Sequence, residues 1–197
     1  VNALLAGEQV EIPKYSFLTG SREEKGTSAR LPAGEPVILE GIHGLNPLLR
    51  EGIPEEVYRV FVSALTCLNL DDHNRIRTTD VRLLRRIARD WQFRGTTPEQ
   101  TLGMWGSVRA GEEKWIFPWQ EEADMMFNTA LHYELPFLKD RIGDALERIP
   151  LDHPERLQAG RVLKTLHYIP GVRKELWEEV PPTSILREFV GGNAFYR

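Results

Sequence analysis

Residues 36–46 read Pro-Val-Ile-Leu-Glu-Gly-Ile-His-Gly-Leu-Asn, a short apolar run that delivers one carboxylate into a glycine-rich turn. The run is too short for a helix and is bounded by turn-formers, so the pattern predicts a buried strand over 36–40. Burying a carboxylate is costly unless it is paired or bound to a cation. A glutamate at the carboxyl end of a buried strand stands where open α/β sheets bind ligands. The alternative is a strand end whose glutamate simply meets solvent.

A chain of 197 residues can bury one good core. With 41% hydrophobic and 27% charged residues and a formal net charge of −4, it has the composition of a soluble globular domain. That mild acidity gives no general reason to expect binding to nucleic acid or membrane. No apolar stretch approaches the roughly 20 residues that span a bilayer, and no signal-peptide pattern opens the chain. Cys67 is the only cysteine and stands between Leu65 and Leu68, which predicts a small core residue rather than a nucleophile. The five histidines show no metal-ligand spacing. A cytoplasmic location is the expectation.

The first seven residues read as the end of an apolar helix with a glycine stop, as if the chain entered midway through a domain. A short strand is expected over 8–12 and a polar loop over 13–30, then the strand at 36–40, a short helix near 47–50, and a strand over 58–65 rich in β-branched and aromatic residues. From Thr79 the period changes. Leu83, Leu84, Ile87, Ala88 and Trp91 form one apolar helical stripe, with Thr79 as expected cap, Asp80 at the positive end of the dipole and Gly95 as stop. A second helix is expected from Pro98 with Thr97 as its cap, then a strand over 123–128, helices over 135–149 and 154–168, and a last segment capped by Ser184. The aromatic residues over 115–133 read mainly as core. Strands alternating with helices indicate an α/β protein with a mostly parallel sheet and flanking helices.

Chemistry concentrates in the arginines. Arg75, Arg77, Arg82, Arg85, Arg86, Arg89 and Arg94 lie within twenty residues of an otherwise acidic protein. Arg82, Arg86 and Arg89 share a helix face at i, i+4 and i+7, with Arg85 beside them. Only Asp80 and Asp90 are near enough in sequence to neutralise them. Guanidinium forks match phosphate oxygens bidentately, so an anion is the natural partner. A solvated helix face paired with acids elsewhere, and an RNA-gripping helix, are the competing readings. The latter lacks interleaved aromatic platforms. His43 could polarise a phosphate or rest as a loop histidine. Glu112, Glu113 and Lys114 could line the base of a lid or form a salt-bridge cluster.

These residues carry a resemblance. Ile12-Pro13-Lys14-Tyr15-Ser16-Phe17, Arg22, Val37-Ile38-Leu39-Glu40-Gly41-Ile42, and Asp80-Val81-Arg82-Leu83-Leu84-Arg85-Arg86-Ile87-Ala88-Arg89-Asp90 with Arg94-Gly95 are similar, in order and spacing, to the uridine kinase and phosphoribulokinase group of P-loop kinases. Met104-Trp105, Val108-Arg109, Gly111-Glu112-Glu113-Lys114, Ile116-Phe117-Pro118, Ala123-Asp124, Phe127-Asn128 and Ser184-Ile185-Leu186-Arg187-Glu188-Phe189-Val190-Gly191-Gly192 resemble a bacterial uridine kinase-like subgroup with amino-terminal domains similar to threonyl-tRNA synthetase. The resemblance implies a P-loop kinase domain over 1–134, lacking its first strand and P-loop, with a lid near 80–96 and a helical extension over 135–197 packed on the same domain. It implies ATP and Mg²⁺ as cofactors and a small-molecule hydroxyl acceptor. Glu40 would stand near Mg²⁺, Arg86, Arg89 and Arg94 would stabilise the transferring phosphoryl group, and Arg85 would bind nucleotide or pair structurally. Tyr15 and Arg22 would contact the acceptor.

Two departures qualify what it implies. No Gly-x-x-x-x-Gly-Lys-[Ser/Thr] occurs in the sequence, so this chain alone is expected to be inactive. Ser16, Gly20 or Ser21, Thr96 and Met104 stand where uridine kinases carry acceptor-reading residues, so uridine itself is not implied. The rivals to an active kinase are a module that binds RNA or another polyanion and a regulator that binds ATP without turnover. An oligomer stays open.

Overall fold

A computed structural model describes residues 1–16, 19–53 and 57–195. Phe17, quoted above, lies outside the described residues. The chain forms two compact units that alternate along the sequence: Val1–Phe61 with Ala110–Met126, and Val62–Arg109 with Phe127–Arg197.

The first unit begins with α1 (Asn2–Leu5), whose Asn2 amide donates to the Gly52 carbonyl at 2.7 Å. The short strand expected over 8–12 is present as β1 (Val10–Ile12), while the segment 13–30 expected as a loop contains three further short strands. β1 pairs with β4 (Thr27–Ala29), and inside them β2 (Tyr15–Ser16) pairs with β3 (Ser21–Arg22). Glycine permits both pairings. Gly20 turns the inner pair with φ +66°, and a Cβ on Gly26 would stand 2.3 Å from the Ile12 carbonyl oxygen. α2 (Pro47–Arg50) starts where expected, its Asn46 side chain accepting from Leu48 N at 3.0 Å.

Residues 36–40 are not a strand. They are in no ladder, and Ile38, Leu39 and Glu40 are exposed. An apolar run becomes a strand only when a neighbour takes up its N–H and C=O groups, and no described residue does so here. Sequence pattern predicts the run; only pairing makes it a strand.

β5 (Val60–Ser63) and β6 (Met125–Asn128) are the parallel pair, shorter than the 58–65 and 123–128 expectations. Met125 N donates to Arg59 O at 3.1 Å and Thr129 N to Ser63 O at 2.8 Å, the even advance of a parallel ladder. At its start Asp124 takes hold of Arg59 three times: from its backbone N at 2.8 Å, Nε at 3.0 Å and Nη2 at 2.7 Å. With the flanking helices this gives the α/β class that the alternation predicts.

The second unit holds the hydrophobic core. α3 (Thr78–Phe93) buries Val81, Leu83, Leu84, Ile87 and Ala88, and it packs on α5 (Glu134–Glu147) and α8 (Arg187–Val190). α5 also packs on α6 (Arg156–His167), and Leu138, Ile142, Leu146 and Leu166 are sealed from solvent. α4 (Pro98–Trp115) opens with the expected cap, Thr97 Oγ1 accepting from Gln100 N at 3.3 Å and Gln100 Oε1 accepting from Thr97 N at 2.9 Å. A 3-10 turn (Phe117–Glu122) and α7 (Leu176–Glu179) complete the elements. Ser184 Oγ accepts from Leu186 N just ahead of α8.

Several local expectations are corrected. α3 begins at Thr78 after Arg77, so Thr79 lies inside it and caps nothing. Trp91 is half-exposed because the stripe is completed by Val81 and Arg85 instead. Cys67 is exposed, since Ala64 and Thr66 take the buried positions beside it. Phe127 and Tyr133 are surface residues, and Trp115 is only partly covered. β6 has no buried residue, so its aromatic and methionine side chains are not core.

Arg85 is the polar exception in the core. It is 7% exposed, and its Nε donates to Glu134 Oε2 at 2.6 Å, Nη2 to the Thr129 carbonyl at 2.6 Å and Nη1 to Thr129 Oγ1 at 3.2 Å. Its guanidinium also sits 4.9 Å from the Phe189 ring centroid. Replacing Arg85 by Met strands a buried carboxylate, and about 3–5 kcal/mol of stability should be lost in urea unfolding. The double variant R85M/E134L should recover most of that loss.

The Arg59 guanidinium, by hydrogen bonding first and by charge second, holds the Asp124 carboxyl down from 3.8 to about 2. A carboxyl depressed in the folded state stabilises above its unfolded pKa and loses that contribution as pH falls through the folded one. Thermal midpoints should therefore fall more steeply between pH 4 and pH 2 in the wild type than in D124N.

Candidate functional site

Asp90 organises the arginines of α3. It is 2% exposed, and its Oδ1 accepts from Arg94 Nη1 at 3.0 Å while its Oδ2 lies 3.2 Å from Arg86 Nε. The Thr101 hydroxyl, fully buried, reaches the same Oδ2 at 3.5 Å. Arg86 and Arg94 both stand four residues from Asp90, so helical spacing alone brings them to it. Gly95, with φ +63°, then turns the chain so that Thr96 N donates to the Asp90 carbonyl at 3.2 Å. The end of the helix and its charge cluster are thus one structure.

Arg89 lies five residues before Arg94 and pairs with Glu188 of α8, Nη1 to Oε1 at 3.1 Å. Partial burial pushes the Arg94 guanidinium below its ordinary value, the like charge of Arg89 adds to this and that of Arg86 less so, while Asp90 opposes both. The cluster therefore consists of three arginines close enough to repel one another, held by two carboxylates. The Nε atoms of Arg86 and Arg89 are buried without a hydrogen-bond partner. The side chains as a whole stay partly exposed, and a guanidinium that reaches an oxyanion makes charge-assisted hydrogen bonds to it.

Arg85 does not join this cluster. Its donors are committed inside the fold to Glu134 and Thr129, and nucleotide would have to displace a buried pair to reach it. The position reads as structural because Arg85 stands four residues after Val81 and three before Ala88, on the buried face of the helix. Asp80, the other expected counter-ion, pairs with Arg161 at 2.9 Å.

In the first unit the two expected acceptor residues are brought together. Tyr15 and Arg22 are directly opposed across β2 and β3, both exposed, on a hairpin extended by a Lys14–Glu23 ion pair of 3.1 Å. Glu40 is exposed in the irregular segment before Gly41. His43 sets its ring edge-on to Trp115, centroids 6.5 Å apart, so it packs on an aromatic side chain. Lys114 lies over the same indole at 4.7 Å, and Glu112 is buried. Among the described residues no group of three or more His, Cys, Asp or Glu could hold a metal ion by itself. No described helix is long and apolar enough to cross a membrane.

The pairing roles of Glu134, Thr129, Thr101 and Glu188 are not legible in the sequence. Spacing reaches only partners within a helical turn or two, whereas Glu134 and Glu188 lie 49 and 99 residues from their arginines. Thr101 alone had a local signal, being on the first turn of the helix that follows Gly95.

The chain is 31% identical over 128 residues to a uridine kinase of Deinococcus deserti, covering 64% of this chain and 53% of that protein. It is 33% identical over 125 residues to a uridine kinase of Vibrio cholerae, covering 62% and 50%. A uridine-cytidine kinase A of Dictyostelium discoideum is 31% identical over 128 residues, 64% of this chain and 22% of its own length. The chain thus spans about half the length of the bacterial kinases it matches. The model of the phosphoribulokinase / uridine kinase family matches residues 1–133, about two thirds of the sequence, and the chain belongs to that family.

Proposed function

We propose that this chain carries the phosphate-clamping and acceptor-contacting part of an ATP-dependent phosphotransferase acting on a hydroxyl of a nucleoside or sugar-type acceptor. The observation that carries the reading is the convergence of Arg86, Arg89 and Arg94 at the end of α3, in a chain of this family. Phosphoryl transfer needs little covalent help from the protein and depends on positioning and charge stabilisation. A cluster preorganised around a buried Asp90 meets that need, because its guanidiniums are already oriented and pay little reorganisation.

When bound, ATP supplies the phosphoryl group and Mg²⁺ neutralises charge on its phosphates. Mg²⁺ is usually held by one or two carboxylates with waters and phosphate oxygens, so a single exposed Glu40 meets the donor requirement without a preformed cage. Arg86 and Arg94 would share their charge between Asp90 and the phosphoryl oxygens. Tyr15 would set its ring against base or sugar, with Arg22 opposite offering donors to the acceptor. Arg85 is assigned to the core rather than to the nucleotide. The altered positions Ser16, Thr96 and Met104 favour an acceptor other than uridine.

Acceptor-dependent ADP release with Mg²⁺-ATP and a panel of nucleosides and sugar phosphates tests the reading. It should be run on this chain and on a longer form that includes a Gly-x-x-x-x-Gly-Lys-[Ser/Thr] loop. Turnover is expected from the longer form only. A steeply salt-dependent RNA affinity that ignores ATP, with no turnover by either form, would overturn the proposal.

In the active form Arg86→Ala should lower kcat by about 10³-fold or more, with a smaller loss of urea stability than Arg85→Met, because Arg94 and Thr101 stay on the buried Asp90. Tyr15→Ala should instead raise KM for the acceptor at nearly constant KM for ATP, since Tyr15 is exposed and supports no core.

A further inference from the structure

The family model ends at residue 133, yet α8, beyond it, reaches back to the arginine helix. Three contacts converge there. Glu188 Oε1 accepts from Arg89 Nη1 at 3.1 Å, the Phe189 ring lies under the Arg85 guanidinium, and Gln92 of α3 packs against Gly191. The last contact is close enough that a Cβ on Gly191 would come within 2.4 Å of the Gln92 amide nitrogen, and Gly191 itself has φ +92°. Gln92 is held in turn by Arg141 of α5. Arg187 fixes the same turn, donating to the carbonyls of Trp177 at 2.6 Å and Val180 at 2.7 Å.

The two carboxylates on the arginine cluster differ in how readily they can leave it. Asp90 is buried, receives Arg94, faces Arg86 and is backed by Thr101. Withdrawing it would strand a buried charge. The Glu188 side chain is 43% exposed and makes one ion pair among the described residues, on a helix whose Phe189 and Val190, with Leu186 just ahead of it, are buried and hold the backbone in place. It can swing into water by a rotamer change while α8 stays put.

We propose that Glu188 is an internal anion that occupies Arg89 in the empty protein and yields it to a phosphate oxygen of the nucleotide. It acts as a built-in competitor, supplied by the carboxy-terminal extension, that sets the affinity of the cluster for polyphosphate. The inference rests on the phosphate reading of the arginines given above and adds the residue that regulates it. No covalent step is involved: one carboxylate–guanidinium pair is exchanged for a phosphate–guanidinium pair.

Inorganic tripolyphosphate without metal is the probe, titrated calorimetrically at low, fixed salt into wild type, E188Q, R89A and R89A/E188Q. E188Q should bind about two- to fivefold more tightly than wild type, the change expected for freeing one partly exposed ion pair. In the R89A background the same substitution should change nothing. Equal or weaker binding by E188Q overturns the internal competitor while leaving the phosphate reading intact. A gain that persists in R89A also overturns it, because the effect would then be long-range charge rather than competition at Arg89. Failure of both wild type and E188Q to bind tripolyphosphate overturns the competitor and the phosphate reading together.

Discussion

A guanidinium placed among leucines must find an acceptor for each of its donors, and the arrangement found by Arg85 organises the second unit. Its three bonds tie the middle of α3 to the segment after β6 at Thr129 and to the first turn of α5 at Glu134. Glu134 in turn accepts from Leu131 N at 3.1 Å, so the same carboxylate closes the turn into its own helix. The Phe189 ring, packed under the guanidinium, brings α8 to the same point. Buried pairs of this kind add little net stability over apolar packing, but either half alone is heavily destabilising, so the pairing specifies which elements meet.

The partly buried arginines at the end of the helix depend on that anchor. Arg86, Arg89 and Arg94 can converge only because the opposite face of α3 is locked to α5 and α8. Like charges at this spacing repel, and without Asp90 on the inside and Glu188 on the outside the cluster would spread into solvent. Held together, it has the properties wanted at a phosphoryl group: several oriented donors and low reorganisation. The first unit is built differently. It is held by short antiparallel pairs and by surface or half-buried ion pairs, Arg50–Glu122 at 2.5 Å and the Arg59–Asp124 clamp among them. Its apolar run at 37–42 stays largely uncovered.

Much of the second unit was legible. The 3.6-residue stripe over Leu83, Leu84, Ile87 and Ala88 gave α3, Thr97 before Pro98 gave the start of α4, and both later helices fell within two residues of expectation. Arg85 was open to either reading from local chemistry, although its place between Val81 and Ala88 carried the answer. Asp90 could be read as the counter-ion of Arg86 and Arg94 from spacing alone. The first unit was less legible, because three-residue strands carry little periodicity and their existence depends on register with a distant neighbour. Cys67 shows the same limit, since neighbouring apolar residues do not say which way a side chain points.

By itself the sequence determined the local elements whose signals are short-ranged: amphipathic helices, capping residues, a charge-dense helix face and the motif order of a phosphoribulokinase and uridine kinase relative. Those follow from backbone propensity and from side chains one turn apart, where geometry is fixed by the helix itself. Only the tertiary structure decided that 36–40 forms no ladder, that Arg85 is buried on Glu134, that Tyr15 faces Arg22, and that Glu188 holds Arg89. Each of these is a contact between residues remote in sequence or a strand whose partner must be present. The free energy of a buried charge or an unpaired backbone group is set by what the fold brings beside it.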